Sequence, residues 1–167
     1  MDQVILVNEQ DEQVGVMEKL QAHVEGQLHR AISVFIFNSK NELLIHQRAF
    51  GKYHSSGLWS NTCCSHPMPG ETTEAAAKRR LQEEMGMQCE LSKSFSFIYK
   101  AHLDHELTEF EFDHVYKGRS DAEPLPNKEE VAAWKYISVA DLQTDIRLHP
   151  EKYTEWFKIC IKDYINN

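Results

Sequence analysis

The stretch Trp59 to Gly70, W-S-N-T-C-C-S-H-P-M-P-G, places two thiols and an imidazole within four positions, between an indole and a proline-rich turn. Cys64 and His66 are candidates for thiol chemistry, because an acid–base or nucleophilic cysteine needs partial exposure and a neighbour that tunes its sulfur. A free cysteine is as commonly a small buried space-filler, and a thiol–imidazole pair alone is weakly diagnostic. For Cys64 the two readings stand side by side. Cys63, Cys89 and Cys160 read as packing residues.

A second set combines His23, His29 and His66 with Glu109 and Glu111. The run E-F-E-F-D-H-V-Y alternates strictly. In a strand, Glu109, Glu111 and Asp113 would share one face, with Phe110, Phe112 and Tyr116 on the other. Two neighbouring carboxylates repel if buried, and a cation or a proton relieves that. Nitrogen and oxygen donors without thiolate suit manganese, magnesium, zinc or iron. The plainer reading, which these residues alone favour, is an exposed acidic edge strand. His46, His54, His102, His105, His114 and His149 show no partner in the sequence and read as surface or internally satisfied groups. Arg79, Arg80, Glu83 and Glu84 form a third set. Arg80 and Glu84 suit a solvated ion pair on a helix. The alternative is a magnesium–phosphate site, with acids holding the cation and arginines gripping phosphoryl oxygens.

The elements that carry these groups are legible from periodicity and turn residues. Val4–Val7 and Gln13–Met17 predict an opening hairpin around Asn8–Glu12. A-I-S-V-F-I-F, directly after His29, predicts a buried strand with Leu43–Gln47 as its hairpin partner across N-S-K-N. Residues 50 to 71 predict a long functional loop. E-T-T-E-A-A-A-K-R-R-L-Q-E-E-M predicts a helix over Glu71–Met85 that stops at Gly86. Further strands are predicted over Phe95–Ala101, Thr108–Lys117 and Val131–Ile137. A final helix opens at Pro150, with Tyr153, Trp156, Phe157, Cys160, Ile161 and Tyr164 at helical spacing. The mixture predicts an α+β fold.

A length of 167 residues fits one domain spanning 1–167. The net charge of -8 argues against a nucleic-acid partner, so any phosphate site rests on local lysines and arginines or on a cation. Apolar runs are too short for a membrane span. The acidic start lacks a leader's basic segment, and adjacent cysteines suit a reduced, cytoplasmic protein. A monomer is expected.

Ser65 to Met87 resembles the Nudix box, G-x5-E-x7-R-E-U-x-E-E-x-G-U with U apolar: Glu71, Arg79, Leu81, Glu83, Glu84, Gly86 and Met87 fall on its positions. Ser65 replaces the first Gly, and Arg80 replaces a Glu that Nudix hydrolases use for their metal cluster. With H-R-A-I-S-V-F-I-F-N, L-L-I-H-Q-R-A-F-G-K, N-T-C-C-S-H-P and E-F-E-F, the chain is similar to type I isopentenyl diphosphate isomerases from about His23 to Trp156.

That resemblance implies a Nudix-type mixed β-sheet sandwich flanked by helices. It implies catalysis by Cys64 and Glu111 with Tyr99 beside them. One divalent metal (Mn2+, Mg2+ or Zn2+) would sit among His23, His29, His66, Glu109 and Glu111, and Glu84 would help hold a Mg2+ on the diphosphate. Lys19, Arg48, Lys52 and Arg80 would grip phosphate, and Trp156 would face the hydrocarbon end, with the terminal helix as a lid. The reaction moves a C=C bond by adding a proton at one carbon and removing one from another. It needs a strong positioned acid because an alkene is a poor base. The runner-up is a Nudix pyrophosphohydrolase of a nucleoside diphosphate derivative, and a non-catalytic Nudix-like binding module is a third reading.

Overall fold

A computed structural model describes residues 2–166, the last four as backbone alone, so the Tyr164 side chain lies outside the described residues. The chain runs β1 (Gln3–Val7), β2 (Gln13–Glu18), α1 (Lys19–Glu25), β3 (His29–Phe37), β4 (Glu42–Arg48), β5 (Trp59–Ser60), β6 (Cys63–Ser65), α2 (Thr73–Met85), β7 (Leu91–His102), β8 (Thr108–Arg119), β9 (Val131–Ser138), α3 (Val139–Leu148), a 3-10 turn (Pro150–Lys152) and α4 (Glu155–Asn166). The nine strands join one mixed sheet, as the α+β expectation requires.

β3 organises that sheet. It runs parallel to β8 along its whole length, from His29 opposite Glu111 to Phe37 opposite Arg119. Its other edge is shared by β1 at His29, β6 at Ile32–Val34 and β4 at Phe37. β4 therefore meets β3 at a single pair, Phe37 and Leu43, and instead runs antiparallel to β9 over Glu42–Arg48. The predicted hairpin splays because β6 takes the edge that β4 would have used. The long loop is also more ordered than expected. β5 and β6 lie within it, at two and three residues too short to show alternation.

β8 is an interior strand, paired with β3 on one side and β7 on the other, so the acidic-edge reading fails. Glu109, Glu111 and Asp113 are 5%, 5% and 1% exposed. Alternation on β3 feeds two cores. Ile32, Val34 and Ile36 pack against Ala76, Ala77, Leu81 and Met85 of α2. Phe35, with Leu43 and Ile45 of β4, packs against Leu142 of α3 and Trp156, Phe157 and Cys160 of α4.

The helices depart from expectation at α1, for which none was predicted, at the start of α2, which is Thr73 rather than Glu71, and at α3 and α4. α3 was not foreseen, although Ser138 caps it by accepting from the Asp141 N–H at 3.1 Å, a usable S-x-x-D signal. Pro150 opens only the short 3-10 turn, and α4 begins at Glu155 after Thr154, whose hydroxyl accepts from the Phe157 N–H. α4 packs as a wall of the core. Phe157, Cys160 and Ile161 are all within 2% of full burial, and exposing each large apolar side chain would cost about 1.5–3 kcal/mol.

α2 ends at Gly86, which adopts φ 62°. A Cβ there would lie 2.4 Å from the Leu125 carbonyl oxygen. Gly86→Ala is therefore expected to destabilise the fold by at least about 1–2 kcal/mol, read as a lower urea midpoint at unchanged m.

Candidate active site

α1 and β3 bring the first two imidazoles together. Gly26 ends α1 in the left-handed region at φ 65°, which turns the chain sharply into β3. His23 and His29, six positions apart, thereby meet with ring centroids 5.1 Å apart. His66, just past β6, lies 5.0 Å from His29 and 5.9 Å from His23. His29 Nε2 and His66 Nε2 are 3.1 and 2.8 Å from Glu111 Oε2. Potential ligand atoms of His23, His29, His66 and Glu111 all fall within 4.8 Å of one another.

The tautomers follow from the partners. His23 Nδ1 lies 2.7 Å from the Lys19 carbonyl and His29 Nδ1 2.8 Å from the Gln27 carbonyl. A carbonyl only accepts, so each Nδ1 carries a hydrogen and each Nε2 faces into the cluster, where it offers a lone pair once it carries no proton. The His23 Nε2 is buried without a hydrogen-bond partner. Outward N–H groups tied to carbonyls and inward Nε2 atoms beside a carboxylate suit a divalent cation, which would take the place of any Nε2 proton. Burial also lowers the His66 pKa to about 4, which leaves its imidazole neutral.

Glu109 falls outside that tight group and reaches His23 at 3.7 Å. It forms a second group with His23 and His54, again within 4.8 Å. His54, read as a bystander in the sequence, is thus part of the site. It is 5% exposed, stacks at 5.7 Å on His23, and lies edge-on to Trp156. Burial, and then the charges of Arg48 and His23, lower its pKa to about 3. The Tyr99 hydroxyl contacts both Glu109 and Glu111. Burial and the Glu111 charge raise the Glu109 pKa. Burial alone would also raise that of Glu111, but the His29 and His66 hydrogen bonds outweigh it and hold Glu111 well below the usual range.

Cys63 and Cys64 point to opposite faces of β6, as strand geometry demands. Cys63 enters the α2 core, while Cys64 borders the α4 core and lines a cavity of about 510 Å³. Burial, and then the Asp113 charge, push the Cys64 thiol well above its usual pKa, so it is protonated at neutral pH. Glu109, Glu111, His23, His66 and Trp156 line the same cavity. Tyr99 meets it only through the two glutamates.

Lys19, Arg48, Lys52, Arg79 and Arg80 line the cavity too. Arg48 lies over the Trp156 ring at 5.1 Å, and the Nε–H groups of Arg48 and Arg80 are buried without a partner. Unpaired buried guanidinium donors are costly, and both side chains border the cavity.

A family model of the NUDIX domain matches residues 27–157. An isopentenyl-diphosphate Delta-isomerase 1 of Aromatoleum aromaticum is 54% identical over 96% of this chain and 90% of its own. One of Pectobacterium atrosepticum is 51% identical over 98% and 93%. The chain belongs to the isopentenyl-diphosphate Delta-isomerases of the Nudix superfamily. A crystal structure of a Deinococcus radiodurans protein superposes on it with TM-score 0.74 at 25% identity, covering 88% of this chain and 90% of the other. A MutT protein of Methanosarcina mazei shares the fold, with TM-score 0.69 at 15% identity over 83% and 94%.

In this isomerase-family chain the box helix α2 departs from the hydrolase pattern in a structurally consistent way. Arg80, where the box has Glu, donates to Glu84 at 2.5 Å and to Glu83 at 2.6 Å. Glu84, 6% exposed, borders the same cavity. Glu71 and Arg79 close the box with a bidentate pair at 2.7 and 2.9 Å.

Glu130 was missed because it is one acid in the charged run K-E-E before β9. It holds Lys52 at 2.7 Å and approaches Arg80 at 3.5 Å. Lys52 is therefore already paired, and Lys19 is paired with Asp2 at 3.1 Å. Among the described residues, no helix is long and apolar enough to cross a membrane.

Proposed function

We propose that this chain interconverts isopentenyl and dimethylallyl diphosphate, with Cys64 and Glu111 as the acid–base pair. The observation that carries the reading is that a neutral thiol, an ionised buried carboxylate and an indole border one cavity that also holds several cationic side chains. The guanidinium groups of Arg48 and Arg80, which line the cavity, hold the diphosphate, joined by Lys52 and Lys19 if their carboxylate partners yield. A Mg2+ held by Glu84 would complete neutralisation in a chain of net charge -8. The names of the curated relatives support the same substrate.

In the direction where Cys64 is the acid, its S–H bond breaks and its electron pair stays on sulfur. The alkene π pair takes the proton at the terminal carbon, leaving a tertiary cation. Glu111 removes a proton from the neighbouring carbon, and that C–H pair becomes the new double bond. Trp156 presents its ring to the cation, worth about 0.5–2 kcal/mol, so most of the stabilisation must come from preorganised charge and exclusion of water. Tyr99 holds Glu111 against Glu109. A divalent ion held by His23, His29, His66, Glu111 and Glu109 would offset the charge of the two carboxylates.

Incubation of the purified chain with isopentenyl diphosphate and Mg2+ tests this. Dimethylallyl diphosphate is expected as the product. Release of phosphate instead, or no product, would overturn it.

A further inference from the structure

Ser33 is the one hydroxyl in the apolar run of β3, and it is 2% exposed. Its Oγ donates to Asp113 Oδ2 at 2.7 Å and lies 3.8 Å from Cys64 Sγ. Asp113 is 1% exposed, and its second oxygen has no partner. Burying a hydroxyl and a half-satisfied carboxyl inside an apolar sheet is costly. Packing gives no reason for it, and both groups lie outside the proposed metal and diphosphate sites.

The other neighbours of the sulfur narrow the role. Asn61 is 1% exposed, and its amide donates to the Val34 and Cys63 carbonyls, at 3.0 Å each. A flipped amide would set oxygen against both carbonyls, so Oδ1 must face Cys64, and it accepts from the thiol at 2.8 Å. Asn61 can hold the S–H but has nothing to offer a sulfur that has lost it. Ser60 Oγ is 3.9 Å from the sulfur but spends its proton on Asn61 Oδ1 at 3.0 Å. Two donors face the sulfur: the Trp156 indole N–H, which is buried without a hydrogen-bond partner, and the Ser33 hydroxyl, the nearer of the two serine hydroxyls, which lies across the β3–β6 pair in which it sits opposite Cys64.

We propose that Ser33, anchored by Asp113, is a positioning residue that donates a hydrogen bond to the Cys64 sulfur as its proton leaves, while Asn61 holds the thiol beforehand. The inference rests on the assignment of Cys64 as the acid. One hydroxyl proton cannot serve Asp113 and sulfur together. Rotation about the Ser33 Cβ–Oγ bond moves it to sulfur once charge develops there, and Asp113 keeps the oxygen within reach.

The test compares Ser33→Ala, Ser33→Thr, Ser33→Ala/Asp113→Ala and Cys64→Ala in the full chain, with isopentenyl diphosphate and Mg2+. Ser33→Ala is expected to lower kcat about tenfold or more with KM changed less than about twofold. Threonine retains the hydroxyl, so Ser33→Thr should recover most of the rate. The double variant leaves no unpaired carboxyl and is expected to fold and to show the same kcat loss, which covers the case in which Ser33→Ala alone is unstable. Wild-type kcat in either Ser33→Ala or the double variant, with Cys64→Ala inactive, overturns this inference alone. Full activity in Cys64→Ala overturns the Cys64 assignment and the inference with it.

Discussion

Cys64→Ala is expected to abolish isomerisation, lowering kcat by about 10²–10⁴, the usual contribution of one positioned acid or base. KM should change little, because the cationic groups that line the cavity are untouched. The side chain borders the cavity rather than the centre of a core, so the melting temperature should stay close to wild type. Cys64→Ser should be nearly as inactive, since an alcohol is a far weaker acid than a thiol. Glu111→Gln should show a comparable loss, because an amide cannot take the second proton. Steady-state kinetics with isopentenyl diphosphate read all three. A Cys64→Ala enzyme turning over at the wild-type rate would end the thiol mechanism while leaving the family assignment intact.

Stripping divalent ions with a chelator is expected to destabilise the fold, and restoring Mn2+, Zn2+ or Mg2+ to stabilise it. Glu109 and Glu111 share one buried face, with Tyr99 between them. Without a cation, that charge is relieved only by protons. An ion at 100 times its dissociation constant adds about 2.7 kcal/mol, which for a chain of this size raises Tm by roughly 5–10 °C. Glu109→Gln/Glu111→Gln should melt above the stripped wild type and gain nothing from added metal, because the repulsion and the anionic ligands vanish together. Thermal scans of both proteins with and without each ion measure this. A wild type that no ion shifts would remove the metal from the histidine cluster.

Much of this site is legible in the chain because its parts are local. N-T-C-C-S-H-P, the acidic alternation and the α2 box each carry their spacing within one element, and periodicity alone forecasts β3, α2 and the apolar stripe of α4. The misses have physical causes. β5 and β6 are too short for a repeat to register, and the edge of β3 that β6 occupies displaces β4 by competition between distant segments. His54 lies in an irregular loop with no motif around it. Its place beside His23 is set by the packing of that loop against α1 and Trp156.

The sequence by itself determines which chemistry is available: a thiol, nitrogen and oxygen ligands, and arginines enough to reverse the charge locally. It also determines that the acids of β8 share a face, since strand side chains alternate. Whether that face meets water or core is not a local property. Alternation is the same for an exposed edge as for a buried strand, and only the pairing of β8 between β3 and β7 buries Glu109, Glu111 and Asp113. The same pairing seats Asp113 against Ser33, and the β3–β6 pair sets Ser33 beside Cys64, 80 and 31 positions away. A contact between segments that far apart exists only once the sheet has closed.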